Sequence, residues 1–276
     1  MTRRFDPVGI GLTTFTLLAA TLWAFPLYWA VITTLKPEHE TIRPGVHFLP
    51  EDWTLGGYIH IIQNTNLGTW YVNSIVTAVA VTVLVVVMSA ACGFAISQLR
   101  FPGRRLLYLM ILASFMVPMQ ALIVTHFILM NDLGLVNTWT GIILPQLIAP
   151  ISVIVYKQFF DSVPKELREA AIVDGANWFQ LLFRVFLPMN WGITTALAII
   201  TFIAAWNNFL WPFLVTTSER TMTITVGITQ VKDAFGVYYA RQLSGAVLAA
   251  LPVAAAYLIF QRRVTQAIML TAGIKG

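Results

Sequence analysis

The longest charge-rich stretch of this chain holds Glu169, Ala170, Ala171, Asp174 and Gly175 in a polar loop of about residues 158–188. Its chemistry is recognition. Small side chains let two backbones approach closely, and Glu169 can pair with a basic residue of a partner. Truncating one member of a buried, hydrogen-bonded charge pair costs about 2–5 kcal/mol. Pro164 suits the first turn of a helix, with Glu166 and Glu169 near its positive end. Leu167, Ala170, Ala171 and Asp174 fall at helical spacing, so Ala170 and Ala171 share a face. Gly175 can end that helix in a left-handed conformation. Asn177 and Gln180 have capping-box spacing and can open a second helix, which carries Trp178, Phe179, Leu181, Leu182, Val185 and Phe186 until Pro188 stops it. Two arrangements suit these residues: a docking element entering a groove on a partner, or a capped amphipathic helix lying on a bilayer.

A second set of polar residues lies inside apolar sequence: Asn73, Gln120, His126, Gln146, Trp206, Asn207 and Asn208. Amides offer paired donors and acceptors to hydroxyl groups, and indole faces pack against the apolar face of a sugar ring. They are candidates for contact with a neutral, polar solute; the same amides also hold membrane helices together. Asp, Glu, Lys and Arg are effectively absent from the apolar stretches. An ion-coupled carrier usually keeps one there for function. His126 could relay a proton or serve as a hydrogen-bonded structural group. His39, His47 and His60 lack metal-ligand spacing, and no nucleophile–base or carboxylate pair points to catalysis. No catalytic or metal residue is expected. The single cysteine, Cys92, has no intrachain disulfide partner and reads as packing.

The elements around these residues are membrane helices. The chain is 58% hydrophobic and 11% charged, against roughly 25% charged in a soluble domain. Uncharged windows run 7–35, 53–99, 106–131, 133–156, 185–218 and 242–261, each at least 20 residues long. Roughly 20 apolar residues span a bilayer as a helix, and these windows lack the alternation of a barrel. The expectation is an all-α, polytopic fold of six spans, at about 9–34, 70–98, 106–130, 137–157, 190–215 and 241–261. The polar start of the second window extends an external loop of about 36–69, whose Trp53, Tyr58, Trp70 and Tyr71 suit the aromatic belt. The first apolar run exceeds a signal-peptide core and is expected to stay as a span. With the N-terminus inside, twelve of the 17 Lys and Arg residues fall on the cytoplasmic side, including Arg3, Arg4, Arg104, Arg105, Lys157, Arg168 and Lys275. Both termini are then cytoplasmic. The net charge of +5 is this topological signal and calls for no nucleic acid.

The loop resembles the signature loop of bacterial ABC importer permeases: Glu-Ala-Ala, three residues, a glycine, nine residues, an isoleucine, one residue, then Leu-Pro. Here Glu169, Ala170, Ala171, Gly175, Leu187 and Pro188 stand in register, and Val185 replaces the isoleucine. Asp174 to Ala176, Asn73 and Ser74, Arg100 to Gly103, Trp206 and Asn207, Leu210 to Pro212, and the ending Leu270 to Gly276 fit the carbohydrate-importing branch; Ile274 stands where valine is usual. The resemblance covers nearly the whole chain and implies a six-helix subunit similar to the smaller permease of maltose-type importers. It implies a single permease domain over 1–276, with a five-helix core at about 70–262, a cytoplasmic coupling loop at 158–188 and a cytoplasmic tail at 263–276. It implies a second, homologous permease, a homodimeric or pseudo-dimeric cytoplasmic ATPase, an extracytoplasmic solute-binding protein and the bacterial inner membrane. No phosphate-binding loop occurs here, so ATP and Mg belong to the partner ATPase. Importers of monosaccharides, oligosaccharides, polyols and glycerol-3-phosphate share this architecture. An ion-coupled secondary carrier is the alternative.

Overall fold

The computed structural model describes residues 7–231 and 237–271. Its regular structure is helical, with no strand among the described residues. In chain order come α1 (Pro7–Thr34), α2 (Gly56–Asn64), α3 (Leu67–Gln98), α4 (Arg104–Phe115), α5 (Met119–Asp132), α6 (Trp139–Leu147), α7 (Pro150–Asp161), α8 (Lys165–Val173), α9 (Trp178–Met189), α10 (Trp191–Trp206), α11 (Leu210–Val215) and α12 (Tyr239–Thr271). Arg3, Arg4, Lys232 and Ala272 to Gly276, on which part of the expected orientation and ending rests, lie outside the described residues.

Within α1, α3 and α12, the segments Gly11–Thr34, Leu67–Gln98 and Tyr239–Gln261 are each long and apolar enough to cross a membrane. Three bent helix pairs reach that length and apolarity only together: α4 with α5 at 91°, α6 with α7 at 49°, and α9 with α10 at 85°. Counting each pair once gives up to six. α1 is largely exposed, and its threonines satisfy themselves: Thr13, Thr16 and Thr21 donate to the carbonyls of Gly9, Leu12 and Leu17. That removes the free hydroxyls that lipid would penalise.

Several expected boundaries move. Proline splits the third and fourth spans, which the apolar pattern alone draws as continuous. Pro118 is extended (φ −70°, ψ 130°); it has no N–H and disfavours helix at Val117. Ala149 before Pro150 is likewise non-helical (φ −128°, ψ 71°). Pro188, by contrast, does not stop its helix. The chain stays helical to Met189 and turns at Asn190, whose side-chain amide donates to the Phe186 carbonyl at 2.8 Å. A π-helical turn at Leu181–Phe186 precedes it, widening the helix where a proline must be accommodated. α12 continues helical to Thr271, past the expected end at 261.

The chain forms two compact units: residues up to Leu67 together with Ile228–Leu251, and Gly68–Gly227 together with the segment from Pro252. In the first, the Glu38 carboxylate accepts from the backbone N–H groups of Ala240 and Arg241 at 3.2 and 2.9 Å. It thereby satisfies the positive N-terminus of α12. Thr34 and Tyr58 share a hydrogen bond of 2.8 Å, and Lys36 and Glu40 form a buried ion pair at 3.9 Å.

The second unit holds an aromatic core of Phe94, Tyr156, Phe160, Leu181, Leu182 and Phe186 with Ile193 and Leu197. Phe94 lies edge-on to Phe160 and Phe186, at 6.2 and 5.2 Å between ring centres. Gly93 lets α3 meet α7: a Cβ there would stand 2.8 Å from the Cβ of Tyr156 and 3.0 Å from the backbone nitrogen of Lys157.

Candidate functional site

The loop folds as the helix–turn–helix its residues suggest. α8 follows Pro164, which sits just outside the helix as its N-cap. The helix ends in a two-bond lock: Gly175 N–H donates to Ile172 O at 3.0 Å and Ala176 N–H to Ala171 O at 2.9 Å. That pattern requires a left-handed residue at Gly175, whose φ is +81°. Asn177 and Gln180 then form a reciprocal capping box, both bonds at 2.9 Å.

The faces separate differently from the spacing argument. Ala171 packs against the aromatic core, whereas Glu169, Ala170, Asp174 and Gly175 are exposed. Along with them, Val173 is 86% exposed and Phe179 77%. The π turn brings Leu181, Leu182 and Phe186 onto the buried side and leaves Phe183 exposed. The element therefore stands on an anchored apolar floor and presents carboxylates, a small alanine and bare apolar side chains outward. This composition suits a protein groove with basic and apolar walls.

A second feature is a cleft of about 860 Å³ in the same unit. Its walls collect the helix breaks: Val117 and Met119 from the α4/α5 bend, Ile148 to Pro150 from the α6/α7 bend, and Asn208 after α10. Broken backbone at membrane depth is tolerated where it is buried in protein or lines a cavity. Most of the wall is apolar; Ser114, Gln146, Ser152, Thr201 and Asn208 supply its polar side chains.

The expected solute-contact residues divide accordingly. Gln146 and Asn208 line the cleft and bond to each other at 2.8 Å, with Gln146 Nε2 also donating to Ile142 O. Asn207 and Gln120 are exposed but do not border the cleft. Trp206 is buried, its ring 6.1 Å from that of Tyr71. His126 lies edge-on to Trp211 at 6.1 Å. Asn73 is buried and saturated: its amide donates to Arg220 O and Met222 O, both at 2.9 Å, and its carbonyl accepts from Trp139 Nε1. Trp70, expected in the aromatic belt, is also buried and donates to Glu219 O, with Gly227 making room for its ring. Ser114, Ser152 and Thr201 were missed; Pro118 and Pro150 inside apolar windows were the signal that could have placed a cleft there. Among the described residues, no cluster of three or more His, Cys, Asp or Glu could hold a metal.

Residues 86–268 match the family described as binding-protein-dependent transport system inner membrane component. The chain is 32% identical to the arabinooligosaccharides transport system permease protein AraQ of Halalkalibacterium halodurans, over the whole of both chains. It is 30% identical to the diacetylchitobiose uptake system permease protein NgcG of Streptomyces coelicolor, covering 95% of this chain and 87% of that one. Its fold is similar to a chain in the crystal structure of a bacterial ABC transporter involved in import of the acidic polysaccharide alginate (TM-score 0.84, 21% identity, 95% of this chain and 99% of that one). The helical fold with membrane-length apolar helices agrees with that match over most of its length, and the chain belongs to the binding-protein-dependent transport system inner membrane component family.

Proposed function

We propose that this chain is the membrane subunit of an ATP-driven importer for a sugar or sugar-like solute, forming half of a pore with a second, homologous permease. The observation that carries the reading is the α8–α9 element: a capped helix–turn–helix on an aromatic floor with Glu169, Ala170, Asp174, Val173 and Phe179 bare. It is the docking element for a separate cytoplasmic ATPase dimer, where ATP and Mg bind. The chain crosses the bacterial inner membrane six times with both termini in the cytoplasm; α4 with α5 and α6 with α7 supply two of those crossings, and α10, turned 85° from α9, begins a third. ATP binding closes the ATPase dimer and turns the pore toward a solute-loaded binding protein; hydrolysis resets it. Relatives named for oligosaccharides support the solute class, as does a cleft with neutral polar groups at Gln146, Ser152, Thr201 and Asn208. The ion-coupled alternative has no support in a family defined by dependence on a binding protein.

The test is to purify the tagged chain in mild detergent from its own host, wild type beside Glu169→Lys. Recovery of an ATPase and a second permease with wild type, and loss of the ATPase with the variant, is expected. A chain recovered alone under gentle conditions, or an ATPase retained equally by the variant, overturns the reading.

A further inference from the structure

The docking element is tied to the rest of its unit by a polar network that uses none of its exposed residues. The C-terminal ends of α3 and α7 meet beneath α8. Gln98, the last residue of α3, donates through Nε2 to Phe160 O at 3.1 Å and to Ser97 Oγ at 2.7 Å. Ser97 Oγ donates to Asp161 Oδ1 at 2.6 Å, and Lys157 Nζ donates to Asp161 Oδ2 at 2.6 Å. Lys157 also lies 4.8 Å above the Tyr108 ring of α4. From the docking helix one side chain enters this network: Arg168 Nη1 donates to Gln98 Oε1 at 3.4 Å.

Three features make this contact more than local packing. Arg168 is half-buried while its neighbours Leu167 and Glu169 are exposed, so it points inward from the face opposite the docking surface. Helix C-termini carry partial negative charge from unpaired carbonyls, and a cation near them is favourable; Arg168 reaches the end of α3 through the Gln98 side chain, and Gln98 in turn bonds the Phe160 carbonyl near the end of α7. Its bond is long, and its Nε is buried without a partner. A buried unsatisfied donor is costly, so this side chain is held by the position of the docking helix and not by a saturated site of its own.

Resting on the docking reading above, we propose that Arg168, through Gln98, is a positioning residue that makes the inner ends of α3 and α7 follow the docking helix when the ATPase moves it. Glu169 would then be needed to hold the ATPase, and Arg168 to pass its motion on. α3 and α7 both wall the cleft, through Val81 and Val85 and through Ser152 and Val155.

The experiment uses the whole importer, isolated with its ATPase, second permease and binding protein, and needs no knowledge of the solute. A Thr201→Cys reporter in the cleft, in a Cys92→Ala background, is labelled with a water-soluble maleimide with and without Mg–ATP. ATPase co-purification and ATP hydrolysis are measured on the same samples. A hydrogen bond of this length shifts an equilibrium by about fivefold. Arg168→Ala and Gln98→Ala should therefore each reduce the ATP-dependent change in labelling by about that factor, with the ATPase still bound and active. The double variant should be no worse than either single one, and Arg168→Lys should recover part of the response. An undiminished response in Arg168→Ala, additive losses in the double variant, no recovery in Arg168→Lys, or loss of the ATPase itself from Arg168→Ala overturns the proposal. If Glu169→Lys keeps both ATPase and response, the docking reading fails instead, whatever Arg168 does.

Discussion

At the N-terminal end of α3, Asn73 uses both amide hydrogens and its carbonyl on Arg220, Met222 and Trp139, while Ser74 Oγ accepts from Ile224 N–H and Asn137 Oδ1 from the backbone of Thr217 and Ser218. At the proposed docking element of the same unit, Glu169 and Asp174 face solvent beside bare Val173 and Phe179. In sequence the first reads as amides set inside an apolar run and the second as a charge-rich loop, and both are candidates for contact with a partner or solute. The first is closed on itself and serves the fold. The second leaves carboxylate and apolar surface open, which is what an interface requires. Saturation of hydrogen-bonding groups, more than residue type, separates structural amides from those free to meet a partner.

This contrast can be broken experimentally. The largest effect is expected at the open end. Glu169→Lys should cut ATPase recovery in a pull-down at least tenfold while leaving thermal unfolding in detergent unchanged, since reversing one member of a buried charge pair costs several kcal/mol. Asn73→Ala should do the opposite. It strands the Trp139 N–H and two carbonyls and should cost about 2–4 kcal/mol, read as a lowered unfolding midpoint with ATPase binding retained. Gly93→Ala forces a methyl against Tyr156 and the Lys157 backbone and should cost about 1–3 kcal/mol, again visible in unfolding. Gly175→Ala should be mildest at about 1 kcal/mol. Nothing lies within 4 Å of the added methyl, so the cost is the left-handed backbone alone, and it should appear as slightly weaker ATPase binding. Equal stability losses in Glu169→Lys and Asn73→Ala would erase the distinction between the two ends.

Much of the docking element was legible in advance because its determinants are local. A glycine four residues beyond the last small pair, and an Asn–Gln capping box just after it, set helix ends through bonds of short sequence separation, and each is present as read. The second span was legible too, its range of 70–98 differing from α3 by only a few residues at its start. The bends in the third and fourth spans escaped the apolar pattern, which measures length in lipid and carries no account of where a proline removes an N–H.

Asn73 and Trp70 escaped for another reason. Their partners lie about 150 residues away in the segment from Glu219 to Met222, and no local rule names a partner at that distance. The same holds for Gln146 and Asn208, 62 residues apart and joined across the cleft wall, and for Arg168 with Gln98, 70 apart.

The sequence by itself determined the membrane class, the helical fold, the family and the local caps of the docking element. These depend on composition, on spacing within a few residues and on one signature loop. The tertiary structure decided which polar side chains are closed off and which are open, where the helices break to wall a cleft, and which face of α8 is buried. Those outcomes depend on which distant carbonyl or ring fills the other half of each contact.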